Sequence, residues 1–308
     1  MGRINKAYCL QSIIRQCLFG LFSLGMLVIS SASWSEVNST THQMVFATKP
    51  RSYGLFVPEG LDTTPKPVVF VLHGGMGNGR HAQQITGMSK LAKQQGFIAV
   101  YPDGAQAKAG IMRRMKTWNA GECCGAAVKQ GSDDVGFLKA VIEDIARQHM
   151  IDRKRIYFTG HSNGAMMAYR VACEAPEMVA AIVPISGTLA LSDCRAGQPV
   201  PVLHIHGTGD NNVPLDGGKG KRSIAGVEHR SVWETLRLLS KKRDCKPPMI
   251  QRTATGKMYS YQCNNGAPFF LQLIEGGGHP WPGSNRDKFH SGVSGSQAAW
   301  EFLQHYSK

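Results

Sequence analysis

Arg155-Ile156-Tyr157-Phe158-Thr159-Gly160-His161-Ser162-Asn163-Gly164-Ala165-Met166-Met167-Ala168-Tyr169-Arg170-Val171-Ala172 is the stretch on which the fold of this chain turns. Arg155 to Thr159 has the apolar, aromatic character of a strand, and Ala165 to Ala172 is a good helix former. A Gly-x-Ser-x-Gly pentapeptide joins them. A strand that turns sharply into a helix needs residues without a Cβ on both sides of the turn, where backbones approach closely. Such a turn lifts one hydroxyl, that of Ser162, over a helix N-terminus, which is where a nucleophile sits. The plain alternative is a glycine-rich connection with a solvated serine, and the flanking strand and helix weigh against it.

Outward from this elbow, strand-like and helix-like runs alternate. Arg51 to Pro58 reads as an outer strand. Val68-Val69-Phe70-Val71-Leu72 is a continuous apolar run, as in a strand buried on both faces. Arg80 to Gln95 reads as a helix ended by Gly96, and Phe97 to Tyr101 as the next strand. Ser132-Asp133-Asp134 caps a helix with Leu138, Val141, Ile142 and Ile145 on its apolar face. Strands follow at Val179 to Ile185 and Val200 to His206, then a helix at Val227 to Leu239. Strands around Tyr259 to Gln262 and Phe269 to Ile274 and a helix from Ser294 to Tyr306 complete the chain. Repeated β-α alternation implies an α/β fold, a mainly parallel sheet with helices on both faces and no large cap domain.

The chain has 308 residues, 42% hydrophobic and 18% charged, enough to bury a substantial core. Arg3, Lys6 and Arg15 precede the apolar run Cys17 to Ile29, and small residues follow at Ser30 to Ser33. Residues 1–33 therefore read as a cleaved secretory signal, too short in its apolar part for a membrane span, and 34–308 as a single catalytic domain. Export gives meaning to Cys123, Cys124, Cys173, Cys194, Cys245 and Cys263, which remain once Cys9 and Cys17 leave with the signal. Local pairing favours Cys173–Cys194 and Cys245–Cys263; the adjacent Cys123 and Cys124 either close on each other or stay reduced. No Cys-x-x-Cys pair supports a zinc site. The net charge of +14 is scattered, with its tightest cluster at Lys219-Gly220-Lys221-Arg222. Without aromatic interleaving it points to a solvated basic surface that attracts anionic polymers, and not to nucleic acid.

A serine hydroxyl needs a base, and the base an orienting carboxylate, in the chain order Ser, Asp, His when the fold is of this kind. Asp210, in the Gly207-Thr208-Gly209-Asp210 loop after a buried strand, is the candidate acid, with Asp216 as fallback. His279, framed by Gly276-Gly277-Gly278 and Pro280, is the candidate base; His290 and His305 lack such a frame. His204 and His206 share one face of a strand and read as structural. The oxyanion requires two convergent backbone N–H groups, assigned to Asn163 and to Gly75 in His73-Gly74-Gly75-Met76-Gly77, with Met76 as second choice. Activity is then expected to fall on acidification, as the base takes up a proton.

Taken together, Leu72-His73-Gly74-Gly75, Trp118-Asn119-Ala120-Gly121-Glu122-Cys123-Cys124-Gly125, Asp133-Asp134-Val135-Gly136-Phe137, Gly160 to Gly164, His206 to Asp210 and Gly277 to Gly283 occur in an order that closely resembles the secreted polyhydroxybutyrate-depolymerase-like esterases, which include feruloyl and acetylxylan esterases. The resemblance spans nearly the whole mature chain. It implies an α/β-hydrolase fold, no metal or organic cofactor, an ester substrate, and Ser162, Asp210 and His279 as a catalytic triad. Trp281 and Trp118 are candidate walls of an acyl or aromatic pocket, with core packing as the alternative. Asp133 and Asp134 read as helix-capping residues. The reading from another class is a binding protein that kept the scaffold and lost its chemistry.

Overall fold

In the computed structural model, which describes residues 39–60, 62–107, 115–194, 199–223, 226–264, 266–289 and 292–308, the buried apolar runs lie side by side. The expected signal at 1–33 falls outside the described residues, as does His290. In chain order the strands are β1 (Thr40–Phe46), β2 (Lys49–Phe56), β3 (Lys66–Leu72), β4 (Ile98–Pro102), β5 (Ala105–Gln106), β6 (Lys116–Thr117), β7 (Ile151–His161), β8 (Ala181–Ile185), β9 (Val202–Gly207), β10 (Met249–Thr253), β11 (Gly256–Tyr261) and β12 (Phe269–Ile274). The helices are α1 (Gly79–Thr86), α2 (Met88–Gln95), α3 (Gly125–Lys129), α4 (Asp134–Gln148), α5 (Asn163–Glu174), α6 (Val232–Arg243) and α7 (Gly295–Leu303).

A 10-stranded sheet runs β1-β2-β4-β3-β7-β8-β9-β12-β11-β10, with β5 and β6 forming a separate small hairpin. Its centre, β4 through β12, is parallel, and the pairs beyond it on either side are antiparallel. The sequence explains the division. β4, β8 and β9 are buried at every position, so helices must cover both faces. β3 shows how its alternation serves two cores. Val68, Phe70 and Leu72 join Phe158, Leu138, Val141 and Met166 beneath α4 and α5, while Val69 and Val71 join Tyr157, Val183 and Trp300 beneath α2 and α7. Each such fully buried side chain contributes about 1.5–3 kcal/mol of transfer free energy. Cys173–Cys194 and Cys245–Cys263 are paired as disulfides, and Cys123 pairs with Cys124 across a cis peptide bond. Among the described residues no helix is long and apolar enough to cross a membrane.

Four local expectations change. The helix anticipated over Arg80 to Gln95 breaks at Gly87, whose φ of 61° ends α1 and opens α2. The later helix begins at Val232, because Ser231 accepts a bond from Glu234 N–H as its N-cap. Edge strands β1 and β10 are additional; every residue of β10 is exposed, so no apolar alternation marks it. Asp133 does cap α4, accepting from Gly136 N–H at 2.8 Å. Asp134 does not. It is buried, ion-paired with Arg51 at 2.8 Å, and accepts from Asn119 N–H and the Ser132 hydroxyl. It thereby ties β2 and the loop after β6 to the start of α4.

Candidate active site

Ser162 stands between β7 and α5 with φ 55° and ψ −119°, a conformation that costs a residue with a side chain about 1–3 kcal/mol. Its neighbours hold it there. Its N–H donates to Ile185 O at 2.9 Å, and its carbonyl accepts from Met166 N–H at 3.1 Å. The flanking glycines are required by close approach: a Cβ on Gly164 would lie 2.3 Å from Leu72 O, and one on Gly160 would lie 2.6 Å from the Gly164 backbone. Strand β3, strand β7 and helix α5 therefore meet without side chains between them.

Asp210 and His279 come from the loops after β9 and β12, which are parallel neighbours with Gly207 opposite Ile274. That pairing brings residues 69 positions apart to one place, and His279 Nδ1 lies 2.8 Å from Asp210 Oδ2. The other carboxylate oxygen, Oδ1, accepts from Asn212 N–H at 2.8 Å and Val213 N–H at 2.9 Å. Burial alone would raise this carboxyl's pKa; the bond from His279, the neighbouring imidazoles and the Val213 N–H outweigh it and hold it below the usual range. The fallback Asp216 is elsewhere, exposed and accepting from the Trp233 indole. His305 is exposed beyond α7.

The residue before Ser162 links the two halves. His161 Nε2–H donates to His279 O at 2.7 Å, and the two rings lie 4.7 Å apart. Ser162, His161 and His279 all line one cavity of about 580 Å³. Among the described residues Ser162 Oγ makes no hydrogen bond to the His279 ring; hydroxyl and imidazole share the cavity wall, a separation common before substrate closes a site.

The oxyanion candidates adjoin each other. Asn163 opens α5, so its N–H has no acceptor within the helix. A Cβ built on Gly75 would lie 3.7 Å from the Asn163 Cβ, and both residues line the cavity. Met76, the second choice, is excluded because its N–H is spent on Lys116 O at 2.8 Å. His73 stiffens this loop: Nδ1–H donates to Gly74 O at 2.7 Å, and Nε2 accepts from Gly104 N–H at 2.9 Å. Neither role is legible for His73 or His161 in the sequence, where each is a single histidine beside glycines.

The tryptophans need correction. Trp118 is 0% exposed and Trp281 2%, and neither lines the cavity. Trp118 is a strut. Its indole donates to His73 O at 2.9 Å, while its backbone N–H and C=O bond the Asn163 side chain at 2.7 and 3.1 Å. It thus ties the His73 loop to the start of α5, the two segments that carry the oxyanion candidates. Trp281 packs in the core against Gly295 and donates to Ser296 Oγ. The cavity's apolar lining comes instead from Met76, Met115, Met166, Val213 and Cys124; the three methionines are flexible side chains that fit varied acyl or alcohol groups.

A buried chain of histidines backs Asp210. His206 Nε2–H donates to Val213 O at 2.9 Å, so its Nδ1 must accept, here from His204 Nε2–H at 3.1 Å. His204 Nδ1 then accepts from Tyr169 OH at 2.6 Å. His206 Nε2 also lies 3.6 Å from Asp210 Oδ2. Every nitrogen of the two rings is occupied, which agrees with the structural role read for them. Burial keeps both rings neutral, and the same cause pulls His73 down to about 4 and His161, with His279 adding to it, down to about 3. The unfolded chain binds these protons below pH ~6.5, while the folded chain refuses them until far lower pH. Stability should therefore fall as pH drops from 6.5 towards 4, by roughly 2–3 kcal/mol per unit for His73 and His161 together. Thermal unfolding followed from pH 7 to pH 4.5 is expected to show a Tm loss of about 5–10 °C per unit; a flat Tm over that window would contradict neutral burial.

The parallel sheet, the elbow and the acid–histidine pair at its carboxyl edge define an α/β-hydrolase. Among solved structures, the acetyl xylan esterase from Aspergillus awamori superposes with a TM-score of 0.59 at 15% identity, over 84% of this chain and 100% of that one, a likeness of fold. The family model described as Esterase PHB depolymerase matches residues 51–234, and the chain belongs to that family. Feruloyl esterase B of Piromyces equi is 27% identical over 249 residues, 78% of this chain. Poly(3-hydroxyalkanoate) depolymerase C of Paucimonas lemoignei is 29% identical over 188 residues, 60% of this chain. The matched part is 42% of each of those two proteins, so this chain spans under half of their length.

Proposed function

We propose that the protein is a secreted serine carboxylic-ester hydrolase. The observation that carries this is the 2.8 Å bond between Asp210 and His279 on the wall of the cavity that also holds the Ser162 elbow. In this reading Ser162 Oγ attacks the ester carbonyl carbon as its proton passes to His279, and Asp210 steadies the imidazolium. The oxyanion is held by the N–H groups of Gly75 and Asn163. Collapse breaks the bond to the alkoxy oxygen, which leaves as the alcohol with the proton from His279. Water then gives its proton to His279, attacks the acyl-enzyme, and releases the acid as Ser162 recovers its hydrogen.

The substrates named for the relatives, feruloyl esters and poly(3-hydroxyalkanoate), set the classes to test: hydroxyalkanoate oligomers and plant-wall esters. Export is supported by the basic-apolar leader and by the Cys173–Cys194 and Cys245–Cys263 disulfides. The deciding experiment treats the protein lacking residues 1–33 with a fluorophosphonate probe, then assays 3-hydroxybutyrate oligomers, methyl ferulate and acetylated xylan. Labelling that disappears in Ser162→Ala, with turnover of at least one ester, is expected. No labelling and no turnover would leave a binding protein on a hydrolase scaffold.

A further inference from the structure

The ionisable side chains on the cavity wall are His81, Lys129, His161, His229, His279 and Arg286. Among the described residues no aspartate or glutamate lines it. Asp210, behind His279, is buried and committed to His279, Asn212 and Val213. The wall is therefore one-signed. Lys129, at the end of α3, and Arg286, in the loop that carries His279, approach the cavity from separate segments. Both are exposed and form no ion pair among the described residues. Several other surface arginines do pair: Arg153 with Glu143, Arg155 with Asp152, Arg170 with Glu174, Arg237 with Glu234. The field of Arg286 reaches inward, since with burial it lowers the pKa of His81 on the same wall. A cleft lined by one sign of charge between low-dielectric walls concentrates ligands of the opposite sign.

We propose that Arg286 and Lys129 form an anion-recognition rim, and that the preferred substrates are esters that also carry a free carboxylate. The inference rests on the esterase reading and adds to it the charge of the substrate. Neutral esters fill the methionine-lined cavity through apolar contact alone. A half-ester of a dicarboxylic acid, or an acylated hydroxy acid, would in addition place its carboxylate against the guanidinium or ammonium group. Arginine offers the planar fork that suits a carboxylate, and the lysine a mobile point charge.

The test uses charge-matched pairs. On the acyl side the probes are the mono-4-nitrophenyl ester of glutaric acid and the same ester of its monoamide; on the alcohol side they are 3-(butyryloxy)butanoate and 3-(butyryloxy)butanamide. On at least one side of the ester the carboxylate probe is expected to exceed its amide about three- to tenfold in kcat/KM, through KM. That ratio should shrink towards one in 0.5 M salt and in the Arg286→Gln/Lys129→Gln double variant. The affinity ratio for the same pairs is also read by calorimetry on Ser162→Ala, which holds the ester unturned. If no probe of either pair is hydrolysed and the fluorophosphonate and ester panel is also negative, the esterase reading fails, while the calorimetric ratio still decides the rim. Parity of carboxylate and amide in both readouts, unmoved by salt or by the double variant, overturns the proposal and leaves the esterase reading standing.

Discussion

Ser162→Ala is expected to cut kcat by about 10⁵–10⁶-fold, with the fold and its stability nearly unchanged. Alanine keeps the Cβ and with it the unfavourable φ of 55°, so only the nucleophile is lost. Ser162→Gly should be equally inactive for a different structural balance. Glycine accepts that backbone conformation without strain, releasing about 1–3 kcal/mol, against which its greater freedom in the unfolded chain costs about 0.5–1 kcal/mol. The glycine variant should therefore be the more stable of the two, by about 1 kcal/mol, or a Tm higher by about 2–4 °C. Kinetics, probe labelling and thermal unfolding on the three proteins separate the claims. Retention of more than about a hundredth of kcat in Ser162→Ala would remove this residue as nucleophile, since every member of such a relay acts as part of one unit. A glycine variant less stable than the alanine one would show instead that the elbow stores no strain.

Local rules hold where the demand on the chain is itself local. The elbow is legible because its glycines answer to close approach among β3, β7 and α5, a demand written within a few positions. β3, β4, β8 and β9 are legible because burial on both faces leaves unbroken apolar runs. Asp210 stands out because it follows such a strand, β9, in a glycine-rich loop, and His279 because three glycines and a proline frame it after β12. Trp118 and Trp281 misled, because an aromatic near a site in sequence reads the same whether it faces the cavity or the core. Which way it turns depends on partners such as His73 O and Gly295 from other segments. The same applies to His161, whose task is set by a carbonyl 118 residues away. The break at Gly87 and the start of α6 are different: both signals were present, in a Thr-Gly step and in the Ser231-x-x-Glu234 box, and the broader apolar pattern overrode them.

Asp210→Asn should lower kcat by about 10⁴-fold with little change in KM, and the hydrogen bonds around the carboxylate say why. Oδ1 accepts from two backbone N–H groups, those of Asn212 and Val213. An asparagine must place its carbonyl oxygen there, because its NH₂ would meet two donors. The NH₂ then takes the position of Oδ2 and faces His279 Nδ1, which in the native protein donates. To avoid two opposed donors the imidazole moves its proton to Nε2, the nitrogen needed to receive the hydrogen of Ser162. The base becomes a donor and the relay stops, while the cavity that binds the ester is untouched. His206 adds to the cost, for its Nε2–H lies 3.6 Å from the same oxygen and would also face the amide. Steady-state kinetics on the best ester of the panel, with a Tm for each protein, tests this. A fall in kcat at unchanged KM, with Tm lowered by no more than a few degrees, is expected. If more than a tenth of kcat survives, the acid lies elsewhere, and the pairing of β9 with β12 serves the fold without serving the chemistry.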